Sequence, residues 1–160
     1  MIRKVTLADV KAITEIYNSY IEDSDATFET EPLTEEEMRG RIEEIVNGFP
    51  YYVDEEDGEI AGYCYAHPWK ARAAYRFTLE TTVYLSSKYY RRGIGRKLME
   101  RLIDDCRQNG FHALIACITA GNEASNHLHE KLGFRRVSEF SEVGMKFNRW
   151  LGVVDYELIL

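Results

Sequence analysis

Lys88–Cys106 reads KYYRRGIGRKLMERLIDDC, in which Lys88, Arg91, Arg92, Arg96 and Lys97 surround Gly93 and Gly95. Leu98, Met99, Leu102, Ile103 and Cys106 then fall on one face of a helix expected from about Gly93 to Asn109, with Gly110 ending it. The text before it, Tyr75–Leu85, is a long β-rich run. A strand, a two-glycine loop and an amphipathic helix in that order suit an anion. First-turn N–H groups have no partner inside the helix, and they carry a partial positive charge. Glycines let the backbone approach an anion with no Cβ in the way, and the arginines add charge. A phosphate or pyrophosphate cradle fits, and a plain turn before a helix with a solvated basic face is the alternative. Other phosphate loops fit less well. G-x-G-x-x-G fails at Leu98, and neither the glycine spacing nor the Lys-Ser/Thr of a Walker A loop is present.

Outward from this loop the pattern alternates. Ile2–Val5 reads as a strand. Thr6 with Asp9 reads as a capping box before Leu7, Val10, Ile13, Ile16, Tyr17 and Tyr20 at helical spacing. Residues 23–33 read as a loop, and Thr34 with Glu37 opens a second helix ending near Asn47-Gly48. Tyr51–Asp54 and Glu59–Ala66 flank a hairpin signal, and Pro68 ends the second of them. Ala113–Ile118 has the nearly unbroken apolar text of an internal strand. Asn122 opens a short helix that Gly133 stops, and Phe134–Val143 and Val153–Leu160 read as final strands. The expectation is an α/β fold: a single domain over residues 1–160, a mixed sheet, and helices on both faces.

Composition narrows the function. The 160 residues are 45% apolar and carry a net charge of −7, so the basic cluster is local and nucleic acid is not an expected partner. No apolar run is long enough to span a membrane, and MIRKVTLADVK lacks the apolar stretch of a signal peptide. Three cysteines, Cys64, Cys106 and Cys117, sit in apolar patterns without C-x-x-C spacing. They read as core residues in a reducing compartment, and a cytoplasmic protein without structural zinc is expected.

The R-R-G-x-G loop between strand and helix resembles the acetyl-CoA signature of the GNAT N-acetyltransferases. GYCYAHPWKARAAYRFTLETTVYLS, NEASNHLHEKLGF and GMKFNRW are together similar to the phosphinothricin and methionine-sulfoximine acetyltransferase branch, over nearly the whole chain. Two departures stand out: Tyr90 occupies the first signature position, and Trp150-Leu151-Gly152-Val153 replaces W-x-D-V. The resemblance implies a GNAT fold, with about seven mostly antiparallel strands. It implies acetyl-CoA as co-substrate, its pantetheine arm along Val83, Tyr84 and Leu85, its pyrophosphate on Arg91, Arg92, Gly93, Ile94, Gly95 and Arg96, and Asn122 reaching the arm. Asn122 is equally suited to capping its helix.

N-acetyl transfer by direct attack needs a base, a stabilised oxyanion and a departing thiolate. Glu80, in the apolar run RFTLETTVYL, is the expected base, because such surroundings favour proton uptake near neutral pH. The alternative is a solvated glutamate on a strand. His129 is the expected acid for the thiolate. No Ser or Cys sits in an elbow motif, and the histidines lack metal-ligand spacing, so no acyl-enzyme and no metal are expected. Phe28, Arg72, Tyr75 and Val153 match substrate-pocket positions of the resembling branch. Arg72 could grip a carboxylate or phosphinate with paired hydrogen bonds, or lie free in solvent. The expected acceptor is the α-amine of a small amino acid, and the expected assembly is a homodimer. Peptide N-terminal acetylation, a silent acyl-CoA sensor and a nucleotide-binding regulatory domain are the rival readings.

Overall fold

The computed structural model describes residues 1–160. Its elements are β1 (Ile2–Lys4), α1 (Val10–Asp23), α2 (Glu35–Val46), β2 (Tyr51–Glu56), β3 (Glu59–Pro68), β4 (Thr78–Leu85), α3 (Ile94–Gln108), β5 (Ala113–Thr119), α4 (Glu123–Lys131), β6 (Arg135–Lys146) and β7 (Arg149–Ile159). The strands form one seven-stranded sheet in the order β1-β2-β3-β4-β5-β7-β6. All neighbours are antiparallel except β4 and β5, which α3 joins as a crossover.

Period-two text on the strands sends alternate residues to opposite faces. Val53 and Tyr63 meet Val10, Ile13, Met38 and Ile42 of α1 and α2 on one face. Cys64, Ala66, Leu114 and Ala116 meet Leu98, Met99, Leu102 and Cys106 of α3 on the other. Each fully buried Leu or Met of that stripe is worth roughly 1.5–3 kcal/mol of burial. Both capping boxes form: Thr6 N–H donates to Asp9, and Thr34 exchanges hydrogen bonds with Glu37.

Three expectations need correcting. The β-rich run from Tyr75 becomes strand only at Thr78, because the Tyr75 N–H turns back to the Arg72 carbonyl at 2.9 Å in a short 3₁₀ turn. The last two strands are longer than their text suggests and form a hairpin. Its turn is Phe147-Asn148, both with positive φ (51° and 61°), which matches the twist of the paired strands. Cys117 is exposed, whereas Cys64 and Cys106 are buried; its neighbours along β5, Ala116 and Ile118, take the core-facing positions.

Gly152 accounts for one departure. The β6–β7 register slips between Phe140 and Gly144, and a Cβ at Gly152 would overlap the Phe140 carbonyl oxygen. The bulged backbone of β6 occupies the space that a side chain would need.

The sheet also forks. β4 and β5 pair only through Thr78–Glu80 with Ala113–Ile115, yet they run on to Leu85 and Thr119. Beyond Glu80 they part and leave a wedge through the sheet.

Candidate active site

The wedge is a cavity of about 830 Å³. Its walls are Thr81–Leu85 on one side and Ala116–Asn122 on the other. Tyr20 and Ser24–Ala26 close the α1 face, while Tyr90, Arg91 and Gly95 with Ser125, Leu128 and His129 close the α3–α4 face.

The glycine loop lies at its mouth. Gly93 caps α3 in the left-handed conformation (φ 75°), and Arg91 also has positive φ (63°), a conformation uncommon for a non-glycine residue. The first helical bond of the turn runs from Lys97 N–H to the Gly93 carbonyl at 3.2 Å, which leaves the N–H groups before it for a ligand. A Cβ at Gly95 would touch only Leu85 and Leu128, at 3.5 and 3.6 Å, so the remaining space there is open. Arg91 and Gly95 line the cavity, but the Arg92 guanidinium stacks 5.2 Å from the Tyr89 ring centroid and Arg96 pairs with Glu100 at 2.7 Å. Ile94 is buried in the core. The backbone of this loop faces the wedge, and not all of its side chains do.

Strand geometry decides what β4 offers. Leu85 lies opposite Gly62 of β3, yet its carbonyl accepts from the Tyr20 hydroxyl at 2.8 Å and its N–H donates to the same oxygen at 3.4 Å. Its polar groups therefore point away from β3. Alternate residues of an antiparallel ladder turn the same way, so Val83 also presents N–H and C=O to the wedge, and Tyr84 does not. Tyr84 instead packs its ring on Tyr17 and Tyr20, at 5.3 and 4.7 Å between centroids. The Tyr20 hydroxyl is also 2.8 Å from that of Tyr90, the other departure noted in the sequence. Asn122 lines the wedge and caps α4 by accepting from Ser125 N–H at 3.2 Å. Val83, Leu85, a helix N-terminus and Asn122 together fit a CoA arm and its pyrophosphate.

Glu80 is the last β4 residue paired to β5, and so stands at the base of the fork. Its carboxylate oxygen Oε2 is 3.1 Å from His67 Nε2, with the two side chains 31% and 34% exposed. That bond raises the His67 pKa, against the pull of burial. Cys117 lines the wedge two residues beyond the fork. Burial, then Asp155, with a further contribution from Glu80, pushes its thiol up to about 12. Cys117 is open to the wedge, but the cleft walls shield its thiol from bulk water, and a thiol kept protonated in this way is a poor nucleophile near neutral pH.

His129 is buried, with Nδ1 2.8 Å from the Ser125 carbonyl. A carbonyl can only accept, so Nδ1 holds the proton and the neutral ring presents Nε2 as an acceptor. Burial lowers its pKa. Acting as an acid would require charging the ring where charge is disfavoured, so these contacts run against the role expected from sequence.

The four expected substrate residues lie outside the wedge. The Phe28 ring packs where a Cβ at Gly144 would sit. Its loop is tied to the β6–β7 hairpin by Lys146, whose ammonium donates to the Ser24 and Thr27 carbonyls at 2.7 and 2.8 Å. Val153 is opposite Thr119 on the neighbouring strand. Tyr75 meets Trp69 edge-on at 5.4 Å, and exposed Arg72 makes no ion pair. Their loop follows His67 and Pro68, which pair with Glu80 and Leu79, so it rises beside the fork. Tyr20, Ser24–Ala26 and Cys117 had no sequence signal as wall residues. No group of three or more His, Cys, Asp or Glu is placed to hold a metal ion.

The family described as an acetyltransferase (GNAT) domain matches residues 2–154. A phosphinothricin N-acetyltransferase of Streptomyces viridochromogenes is 40% identical over 98% of this chain and 88% of its own. An L-methionine sulfoximine/L-methionine sulfone acetyltransferase of Salmonella typhimurium is 36% identical over 99% and 94%. Among solved structures, a ribosomal-protein-alanine N-acetyltransferase from Brucella melitensis superposes with a TM-score of 0.98 at 36% identity, covering 100% and 99% of the two chains. A phosphinothricin acetyltransferase from Sinorhizobium meliloti, in complex with acetyl-CoA, gives 0.97 at 37%, covering 100% and 88%.

Proposed function

The chain belongs to the GNAT family of acetyl-CoA-dependent N-acetyltransferases, and on that premise we propose that its acceptor is the α-amine of a small free amino acid such as L-phosphinothricin, methionine sulfoximine or methionine sulfone. The observation that supports this site most is the fork, whose wedge opens immediately beyond Glu80, with Thr81 the first β4 residue in its wall.

Acetyl-CoA supplies the acetyl group as a thioester. Residues 91–96 hold its pyrophosphate, Val83 and Asn122 its arm. Glu80 takes a proton from the acceptor's ammonium, directly or through a water, and the freed amine attacks the thioester carbonyl. Backbone N–H groups bordering the wedge, with that of Val83 the best placed on β4, polarise that carbonyl and stabilise the oxyanion. A thiol has an ordinary pKa of about 8.5, so the CoA sulfur can depart as a thiolate without an acid, and the second proton that the amine nitrogen loses after attack ends on that thiolate to give CoASH. We therefore assign His129 to the cleft wall. A thiol with its pKa raised in this way is a poor nucleophile, so Cys117 is left out of the chemistry in this reading.

Arg72 is a free cation beside the fork, and Phe28, Tyr75 and Val153 complete the acceptor end in this reading. The protein acts in a reducing cytoplasm, in keeping with three free cysteines, and without nucleic-acid or membrane partners. It works as a homodimer through the β6–β7 hairpin, where Phe140, Val143, Met145 and Trp150 are exposed. A second reading, acetylation of a peptide N-terminus, is favoured by the likeness to the Brucella enzyme.

A steady-state comparison of phosphinothricin, methionine sulfoximine, methionine sulfone, methionine and an alanine-starting peptide separates the two. The free amino acids should be preferred. Arg72→Ala and Arg72→Lys should each lose about 10–150-fold in kcat/KM, the range for a lost charge-assisted bond of roughly 1.5–3 kcal/mol. An ammonium lacks the planar fork, so Lys should not rescue. Preference for the peptide, or indifference to both changes, removes the amino-acid assignment.

A further inference from the structure

Asp155 is a carboxylate next to this site that the chemistry above leaves without a task. It lies on β7 opposite Cys117, which lines the wedge. Its partners are neutral: Ser138 Oγ donates to Oδ2 at 2.7 Å, and the Cys117 thiol faces it. The neighbouring acids on this face already have basic partners, Glu80 with His67 at 3.1 Å and Glu157 with Arg135 at 3.2 Å. Asp155 has no cationic partner among the ion pairs of the chain. A half-buried carboxylate one strand away from the cavity wall, beside the wedge-lining Cys117 and with only neutral donors, is set to receive a cation from outside.

The position fits the reaction. Glu80 is level with Ile115 on β5 and Asp155 with Cys117, two residues further along. Two strand spacings of about 4.8 Å and two residues of about 3.3 Å put their α-carbons roughly 12 Å apart. Glu80, Ile115, Cys117 and Asp155 share one face of the sheet, and both carboxylates act on the Cys117 thiol that lies between their strands. We propose that Asp155 binds the ammonium group of the acceptor and presents it to Glu80. This rests on the reading that the site acetylates an α-amine.

The two carboxylates then divide the work. Asp155 holds the charged amine in the ground state, and Glu80 takes its proton during attack. Loss of Asp155 should weaken acceptor binding and leave the chemical step nearly intact.

The experiment is steady-state kinetics of wild type, Asp155→Asn and Asp155→Leu at saturating acetyl-CoA, with the acceptor varied. Asn keeps the size and can still accept from Ser138. The acceptor KM should rise about 10–150-fold in both variants, the range for losing a hydrogen bond to a charged group. The kcat should stay within a few-fold, and the acetyl-CoA KM should not move. Inhibition by 4-(methylsulfonyl)butanoate, methionine sulfone without its amine, should be equal in wild type and variants. An unchanged acceptor KM, or an equal loss of affinity for the amine-free analogue, overturns the assignment. If wild type acetylates only the peptide, the amino-acid reading fails while the same KM test, run on the peptide's terminal ammonium, still decides the role of Asp155.

Discussion

Gly95→Val asks whether the pyrophosphate sits on the first turn of α3. The fold should accept the change. A Cβ at residue 95 makes ordinary contacts at 3.5 and 3.6 Å with Leu85 and Leu128, and valine is a slightly better helix residue than glycine. The two methyl groups must instead enter the wedge, against the N–H groups meant for phosphate. At 100 times its dissociation constant, acetyl-CoA should stabilise wild type by about 2.7 kcal/mol. For a domain of this size that is a rise in Tm of roughly 5–10 °C. Losing two hydrogen bonds to a charged phosphate, at roughly 1.5–3 kcal/mol each, weakens affinity about 100-fold or more. The ligand is then at or below its dissociation constant, and stabilisation falls to about 0.4 kcal/mol, near 1 °C. The measurement is thermal unfolding with and without acetyl-CoA for wild type, Gly95→Ala and Gly95→Val. The ligand-free Tm should hold within a few degrees and the shift should fall in that order. A full shift in the Val protein, or none in wild type, refutes the cradle.

Gly152→Ala should destabilise by about 1–3 kcal/mol or more, because its Cβ meets the Phe140 carbonyl, and denaturant unfolding reads this directly. His129 carries a pH signature. Its buried ring has a lowered pKa, so the unfolded chain takes up a proton first as pH falls below about 6.5. Stability is therefore intact above that pH and declines below it by at most about 1.4 kcal/mol per pH unit, levelling off below the ring's own pKa. His129→Asn should flatten that slope between pH 7 and 5 and keep activity within about tenfold. A loss above 100-fold at neutral pH would restore the acid role.

The parts of the fold that read well from sequence were local ones. The amphipathic text of α3 and the two capping boxes need only neighbours three or four residues away, and all formed. The glycine loop was legible because it adjoins its own helix. The fork was not, since it is a place where two strands of ordinary composition stop pairing. Tyr20 was invisible as a wall residue, because its partner Leu85 is 65 positions away. The Phe147-Asn148 turn lacked glycine, and the aromatic text of Tyr75–Phe77 imitated a strand that a 3₁₀ turn pre-empts. Cys117 looked like core because alternation along a single apolar strand does not say which face the helices leave uncovered.

Glu80 at the base of the fork is the centre of the account, and Glu80→Gln tests it with the shape kept and the base removed. The measurement is kcat/KM for the preferred acceptor across pH 6 to 9, beside the acetyl-CoA thermal shift of the same protein. The account predicts a fall of about 10²–10⁴-fold with the thermal shift retained. Near-wild-type turnover across that range would contradict it.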